Sequence, residues 1–259
     1  MRSILCPADA TPSFDNRLET ALALARATGG HLTLQIATPV AEMAVWEPFG
    51  GAVLSAGAIN AAREADRELG EKLKVRLAPQ DVPFDVDLVD VGRIEGLAAA
   101  ARFADVIVTG LDDPTIEEVS LGVRCPVLAI PEAAPMVTFD GPVMIAWDGG
   151  HESANAMRAS LPLLHLASHV HVLTVAEKSA EFPASDALCY LSRHGIHAEL
   201  HEVSPAGTIS ATIEANARRL GAGLIVMGVY GHSRLRELLL GGVSRDLLDN
   251  SSVPLLLAH

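Results

Sequence analysis

Short apolar runs and helical patterns alternate along the whole chain. Residues 3–9, 31–36, 104–110 and 125–130 are strand-like, rich in Ile, Val and Leu, and nearly continuous in apolar character. Strands covered on both faces by helices look like this. Between the first two, Leu18, Leu22 and Ala25 recur at i, i+4 and i+7, and Gly29 with Gly30 predicts the end of that helix. Residues 51–77 predict a long second helix and residues 96–103 a third.

The same order then repeats. Val143-Met144-Ile145-Ala146-Trp147-Asp148 matches Ser3-Ile4-Leu5-Cys6-Pro7-Ala8-Asp9, since both are apolar strands that end in Asp. His169 to Thr174 matches His31 to Ile36, Ala222 to Gly228 matches Ala104 to Gly110, and Val253 to Ala258 matches Cys125 to Ile130. Ala156, Met157 and Leu161 predict the second copy's first helix, stopping near Pro162; residues 184–194, 208–220 and 243–250 predict three more. Four landmarks in one order, twice, define an internal repeat. The boundary is expected near Glu132 to Pro135, giving domains 1–134 and 135–259. Each is an α/β domain with a five-stranded, doubly wound parallel sheet of Rossmann-like type, the two related by a pseudo-two-fold. Right-handed crossovers produce such a sheet, and its ligands sit beyond the C-terminal strand ends. Asp9, Gly110, Asp148 and Gly228 fall there.

Composition narrows the partners. The 32 acidic residues outnumber the 19 basic ones, leaving a formal charge of −13 that repels nucleic acid and anionic membranes. No apolar stretch approaches the roughly 18 residues of a membrane span, and the first residues lack the core of a signal peptide. Cys6, Cys125 and Cys189 are odd in number and widely spaced among apolar neighbours, which predicts buried free thiols and a cytoplasmic location.

The two copies diverge after their fourth strand. Gly228 and Val253 are 25 positions apart, whereas Gly110 and Cys125 are 15 apart. The longer segment reads G-x2-G-x9-G-G-x-S from Gly228 through Gly231, Gly241 and Gly242 to Ser244. Glycines allow tight turns and close backbone approach to a ligand. Gly241 and Gly242 open the last helix, whose free N–H groups favour an anion. Ser244, His232, Arg234, Arg236 and Arg245 are nearby donors. In the first copy, Leu111-Asp112-Asp113-Pro114-Thr115-Ile116-Glu117-Glu118 offers carboxylates and no glycine cradle, so a phosphate is not expected there.

The loop, the strand-terminal Asp and the tandem arrangement resemble the universal stress proteins over nearly the whole chain. The resemblance implies ATP, with or without Mg2+, in the second domain only, the first being a degenerate copy. Gly228, Gly231, Gly241 and Ser244 would surround the phosphates with the backbone of Gly242 and Val243. Asp148 would lie by ribose and adenine, Val175 would pack on adenine, and Ala146, Met227 and His232 would complete the site. Gly242 departs from the family pattern, which has Ser or Thr there, so one phosphate-binding hydroxyl is missing. The implied role is a cytoplasmic stress-response or regulatory protein. The copies would pair through their last strands as separate chains do in that family, and a further homodimer stays open.

Other readings of the same residues remain. The glycine loop also reads as a sharp turn packed on the other copy, and Asp148 as a cap for the helix that follows. The alternative function is an interaction module of the same fold that binds no nucleotide. A third is another ligand of flavin or adenylate type in the same cleft. No Ser-His-Asp or Cys-His grouping is legible, so no activity beyond slow ATP hydrolysis is assigned. The runs His165, His169, His171 and His194, His197, His201 straddle helix ends and strand starts, and no metal site is expected from them.

Overall fold

The computed structural model describes residues 1–47, 51–54, 56–133, 137–175, 183–229 and 242–259. The first half contains β1 (Ser3–Pro7), α1 (Phe14–Thr28), β2 (His31–Ala37), β3 (Ala44–Glu47), β4 (Gly51–Leu54), α2 (Ala56–Leu77), β5 (Phe84–Val89), α3 (Arg93–Ala100), β6 (Val106–Gly110), α4 (Ile116–Gly122) and β7 (Val127–Ile130). The second contains β8 (Val143–Ala146), α5 (His151–Leu164), β9 (Val170–Val175), α6 (Ala184–Arg193), β10 (Ala198–Val203), α7 (Ile209–Leu220), β11 (Leu224–Gly228), α8 (Gly242–Asn250) and β12 (Leu255–Ala258).

Ten of these strands form one sheet in the order β10-β9-β8-β11-β12-β7-β6-β1-β2-β5. Each half supplies five strands, all parallel within the half. The halves meet where β12 runs antiparallel to β7, with Leu255 opposite Ala129, Leu256 opposite Leu128 and Leu257 opposite Val127. Strand order reverses beside β1 in one half and beside β8 in the other. The C-terminal ends of those strands are therefore the places where a doubly wound sheet leaves a crevice.

Two apolar layers cover the sheet, and each runs through both halves. One packs Leu18 and Leu22 of α1, Leu73 and Leu77 of α2, Met157 of α5 and Leu191 of α6 on Ile4, Leu34, Ile145 and Val172. The other packs Leu97 of α3, Val119 of α4, Ile213 of α7 and Leu247 of α8 on Leu5, Ile107, Met144 and Ile225. The predicted face of α1 is buried, and Gly29, at φ +59°, closes the helix in the left-handed conformation that glycine tolerates.

The structure corrects two element boundaries. Residues 51–54 are not helix; they pair with β3 as a hairpin, Val45 opposite Val53, and α2 starts only at Ala56. The β-branched and aromatic residues Val45, Trp46 and Val53 favour extended backbone over helix. The first helix of the second half does not stop at Pro162 but runs through it to Leu164. Losing one N–H there is offset by burying Leu163 and Leu164 almost completely.

Candidate functional site

In the second half, β8 ends on Ala146 beside Met227 of β11, its register partner. Trp147 and Asp148 follow, then Gly149 at φ +77° turns the chain into α5. Asp148 is exposed, and its Oδ1 accepts the N–H of Gly150 at 2.8 Å. The carboxylate thus fixes the start of the helix, the capping role that Asp commonly takes. Gly228 has a packing reason to be glycine. A Cβ there would stand 2.5 Å from backbone atoms of Glu152 and Ser153, so the first turn of α5 rests directly on the end of β11.

Val175 ends β9, half-buried, in the same row of strand ends. Gly242 opens α8, with Val243 half-buried and Ser244 buried behind it. Among the described residues no atom lies within 4 Å of where a Cβ on Gly242 would be, so the start of this helix is uncrowded on that side. Asp246, one turn in, accepts the Ser210 hydroxyl and is tied to the start of α7. Arg245 points away toward Glu117 of the first half, Nε to Oε1 3.8 Å. Ala146, Asp148, Val175, Met227 and Gly228 therefore share the C-terminal strand ends, with Gly242, Val243 and Ser244 on the helix that leads from β11 to β12. Gly231, His232 and Gly241, with Arg234 and Arg236, lie outside the described residues.

At the equivalent end of the first half, side chains of three elements clamp one another. Asp9, after β1, accepts the Thr11 N–H at 3.0 Å and Arg17 Nη2 at 2.7 Å on Oδ1. Arg93, the first residue of α3, donates from Nη1 to Asp9 Oδ2 at 2.9 Å and from Nη2 to Asp113 Oδ2 at 2.5 Å. Asp113 also accepts the Thr109 hydroxyl at 2.8 Å and the Thr115 N–H at 2.9 Å. Burial pushes the Asp9 carboxyl up, but the hydrogen bonds from Thr11 and Arg17 and the Arg17 charge outweigh it and hold Asp9 at about 2. Asp113 is also lowered, burial being outweighed by Thr115 and the Arg93 charge. A cavity of about 400 Å³ remains beside this network, lined by Ala8, Asp9, Gln35, Ala37, Asp66 and Arg93 among others.

Sequence reading missed Arg17 and Arg93. The signal was present for Arg93: a cation on the first residue of a helix opposes the helix dipole unless an anion meets it. Where α3 begins on Arg93, α7 begins on Ile209, and the second half has no such clamp from that position.

The cysteines differ from the expectation of three buried thiols. Cys6 is buried and its thiol is pushed up to about 12 by that burial, and burial raises Cys125 to about 11. Cys189 is exposed, because Ala184, Ala187 and Leu191 take the inward face of α6. The histidines also differ. Parallel pairing of β9 with β10 brings His171 opposite Glu199, with His201 two residues farther on. His171 Nδ1 and His201 Nε2 are 3.1 Å apart, and Glu199 Oε2 is 3.6 Å from the first and 3.9 Å from the second. Neither helical nor strand spacing within one segment could show this, because the three residues come from two strands.

Among the described residues no helix is long and apolar enough to cross a membrane. The chain's closing 119-residue stretch, 141–259, matches the family model described as the universal stress protein family. No curated protein matches. Among solved structures, a universal stress protein from Archaeoglobus fulgidus DSM 4304 is 17% identical, covering 98% of this chain and 97% of that one at a TM-score of 0.73. A candidate universal stress protein from Pseudomonas aeruginosa UCBPP-PA14 is 19% identical, covering 100% and 93% at a TM-score of 0.57. Those identities speak to the fold, which both share along their full length. Residues 141–259 are thus the part of the chain that is similar to the universal stress protein family.

Proposed function

We propose that this protein binds one adenine nucleotide, ATP with or without Mg2+, in the crevice at the ends of β8, β9 and β11, and none in the first half. The observation that carries this reading is the contrast between two equivalent strand ends. One is occupied by the Arg93–Asp9–Asp113 network. At the other, among the described residues, nothing stands where a Cβ on Gly242 would be at the start of α8, and the buried Ser244 follows two residues on. Unpaired N–H groups and the positive end of the α8 dipole attract phosphate oxygens. In this reading Asp148 accepts from a ribose hydroxyl or the adenine edge, and Val175 supplies an apolar wall for the base.

Domains 1–134 and 135–259 are then one binding unit and one structural partner. The β7–β12 pairing takes the place of contact between separate chains, so the fused halves need no second copy. Such a protein is a cytoplasmic stress-response or regulatory component, with hydrolysis slow at most. Calorimetric titration of nucleotide-stripped protein with ATP, ADP and AMP tests the reading, with a stoichiometry of one expected. A stoichiometry of two would refute an inert first half. No heat at millimolar nucleotide would instead support an interaction module acting through protein partners.

A further inference from the structure

We propose that His171, His201 and Glu199 form a zinc-type metal site on the β10 edge of the sheet. The site stands apart from the nucleotide crevice: His171 is the register partner of Met144, two residues before the end of β8.

The topology builds the cluster. Side chains two apart on a strand share a face, so Glu199 and His201 project together from β10, and His171 meets them from β9. β10 is the last strand of the sheet, so nothing in the sheet covers the far side of the cluster. His171 is buried, His201 half-buried and the Glu199 side chain 70% exposed, giving an anchored inner ligand and a solvent path for an ion.

The spacing fits an ion. Zinc bonds of about 2.0–2.1 Å in a tetrahedron set neighbouring ligand atoms about 3.3–3.4 Å apart. The three observed separations are 3.1, 3.6 and 3.9 Å. Shifts of a few tenths of an ångström would place all three atoms on one tetrahedral face, with water in the fourth position. The donors also choose the metal. Two imidazoles and one carboxylate suit zinc and its neighbours, whereas magnesium and calcium want oxygen throughout.

A plain hydrogen bond between the two rings accounts for their 3.1 Å contact but not for Glu199. A carboxylate that is mostly exposed has no need to stand near both ring nitrogens. Arg219 of α7, whose charge acts on His171, donates to Asn216 Oδ1 at 3.2 and 3.0 Å and so is engaged elsewhere. His169 stacks on His171 with ring centres 6.3 Å apart, lies outside the cluster and serves as a control.

The test uses the full chain stripped with a chelator and titrated with Co2+ and then Zn2+, free of nucleotide. One ion per chain is expected, with the visible absorption of four-coordinate cobalt bleached by zinc. Glu199→Gln and His201→Asn should each weaken zinc binding by more than about tenfold, the low end of the range for losing an outer-shell partner. His169→Ala and His197→Ala should leave it unchanged. His171→Asn should abolish it. If the buried His171 variant fails to fold, the more accessible positions 199 and 201 still decide, with far-ultraviolet circular dichroism confirming their folding. Absence of zinc binding at about 0.1 mM, far weaker than protein zinc sites, would overturn the proposal. So would binding that ignores Glu199→Gln and His201→Asn.

Discussion

Arg93 Nη1 lies 2.9 Å from Asp9 Oδ2, joining the first residue of α3 to the end of β1 across the crevice of the first half. The same guanidinium grips Asp113, whose side chain is only 3% exposed. In the second half the corresponding strand-terminal acid, Asp148, is exposed, and α7 starts on an isoleucine. The charge that Arg93 brings to the first strand end thus has no counterpart at Ile209.

Removing the clamp should be costly. Arg93→Ala leaves the buried Asp113 charge without its cationic partner, a change that costs about 3–5 kcal/mol for a fully buried pair. Arg93 is about a quarter exposed, so the lower end of that range is expected. Urea unfolding measures it, and Asp113→Asn added to Arg93→Ala should recover part of the loss. An unchanged midpoint for Arg93→Ala would mean that the network contributes nothing to stability.

Acid should weaken the fold in a defined window. Asp9 is depressed from 3.8 to about 2, so its contribution is fully present above pH 4 and disappears as pH falls through about 2. That shift corresponds to about 2 kcal/mol. Asp113, lowered as well, should act in the same direction. Asp9→Asn should flatten the acid limb of stability against pH between 4 and 2. A parallel limb in the variant would assign acid sensitivity to other carboxylates.

Much of this was legible from the chain. Apolar runs matched in order across two halves give eight of the ten strands of the sheet, because a strand buried on both faces must be apolar nearly throughout, whereas the edge strands β5 and β10 alternate with charged residues. Those landmarks say nothing about contacts between distant elements. Arg93 and Asp113 meet only because α3 and the end of β6 face the same crevice. His171 and Glu199 meet only through the register of β9 on β10. The β3–β4 hairpin was missed because alanine-rich helix composition on either side masked a short β-branched pair. Gly228 was expected beside a ligand for its lack of a Cβ, and that same lack is used by the backbone of α5.

At Gly242 the proposed site makes a quantitative claim. Gly242→Ser adds a hydroxyl at a position that no described residue crowds, and a hydroxyl on a charged phosphate is worth about 1.5–3 kcal/mol at best. Tighter ATP binding by several-fold is expected, and Ser244→Ala should weaken binding by a similar or smaller factor. Titration calorimetry reads both. If neither substitution moves the affinity, the phosphates do not rest on the start of α8.

Leu256 and Leu128 oppose each other at the β7–β12 junction, both fully buried. Each half buries an apolar layer on either side of its own five strands, so each has a core of its own. The junction is where the halves depend on one another. Leu256→Lys sets an ammonium group in that layer with no acid in register opposite, and removes a leucine whose loss alone costs about 2–5 kcal/mol. Separation of the halves should come before unfolding of either. It would expose the edges of β7 and β12, and open strand edges recruit further chains. Limited digestion with a glutamate-specific protease should therefore cut the variant after Glu132 and leave two resistant fragments, while size-exclusion chromatography shows larger species. Cleavage scattered through both halves would mean that neither stands without the other. Resistance equal to the parent, at the parent's elution volume, would mean that the pairing of Leu256 with Leu128 does not hold the halves together.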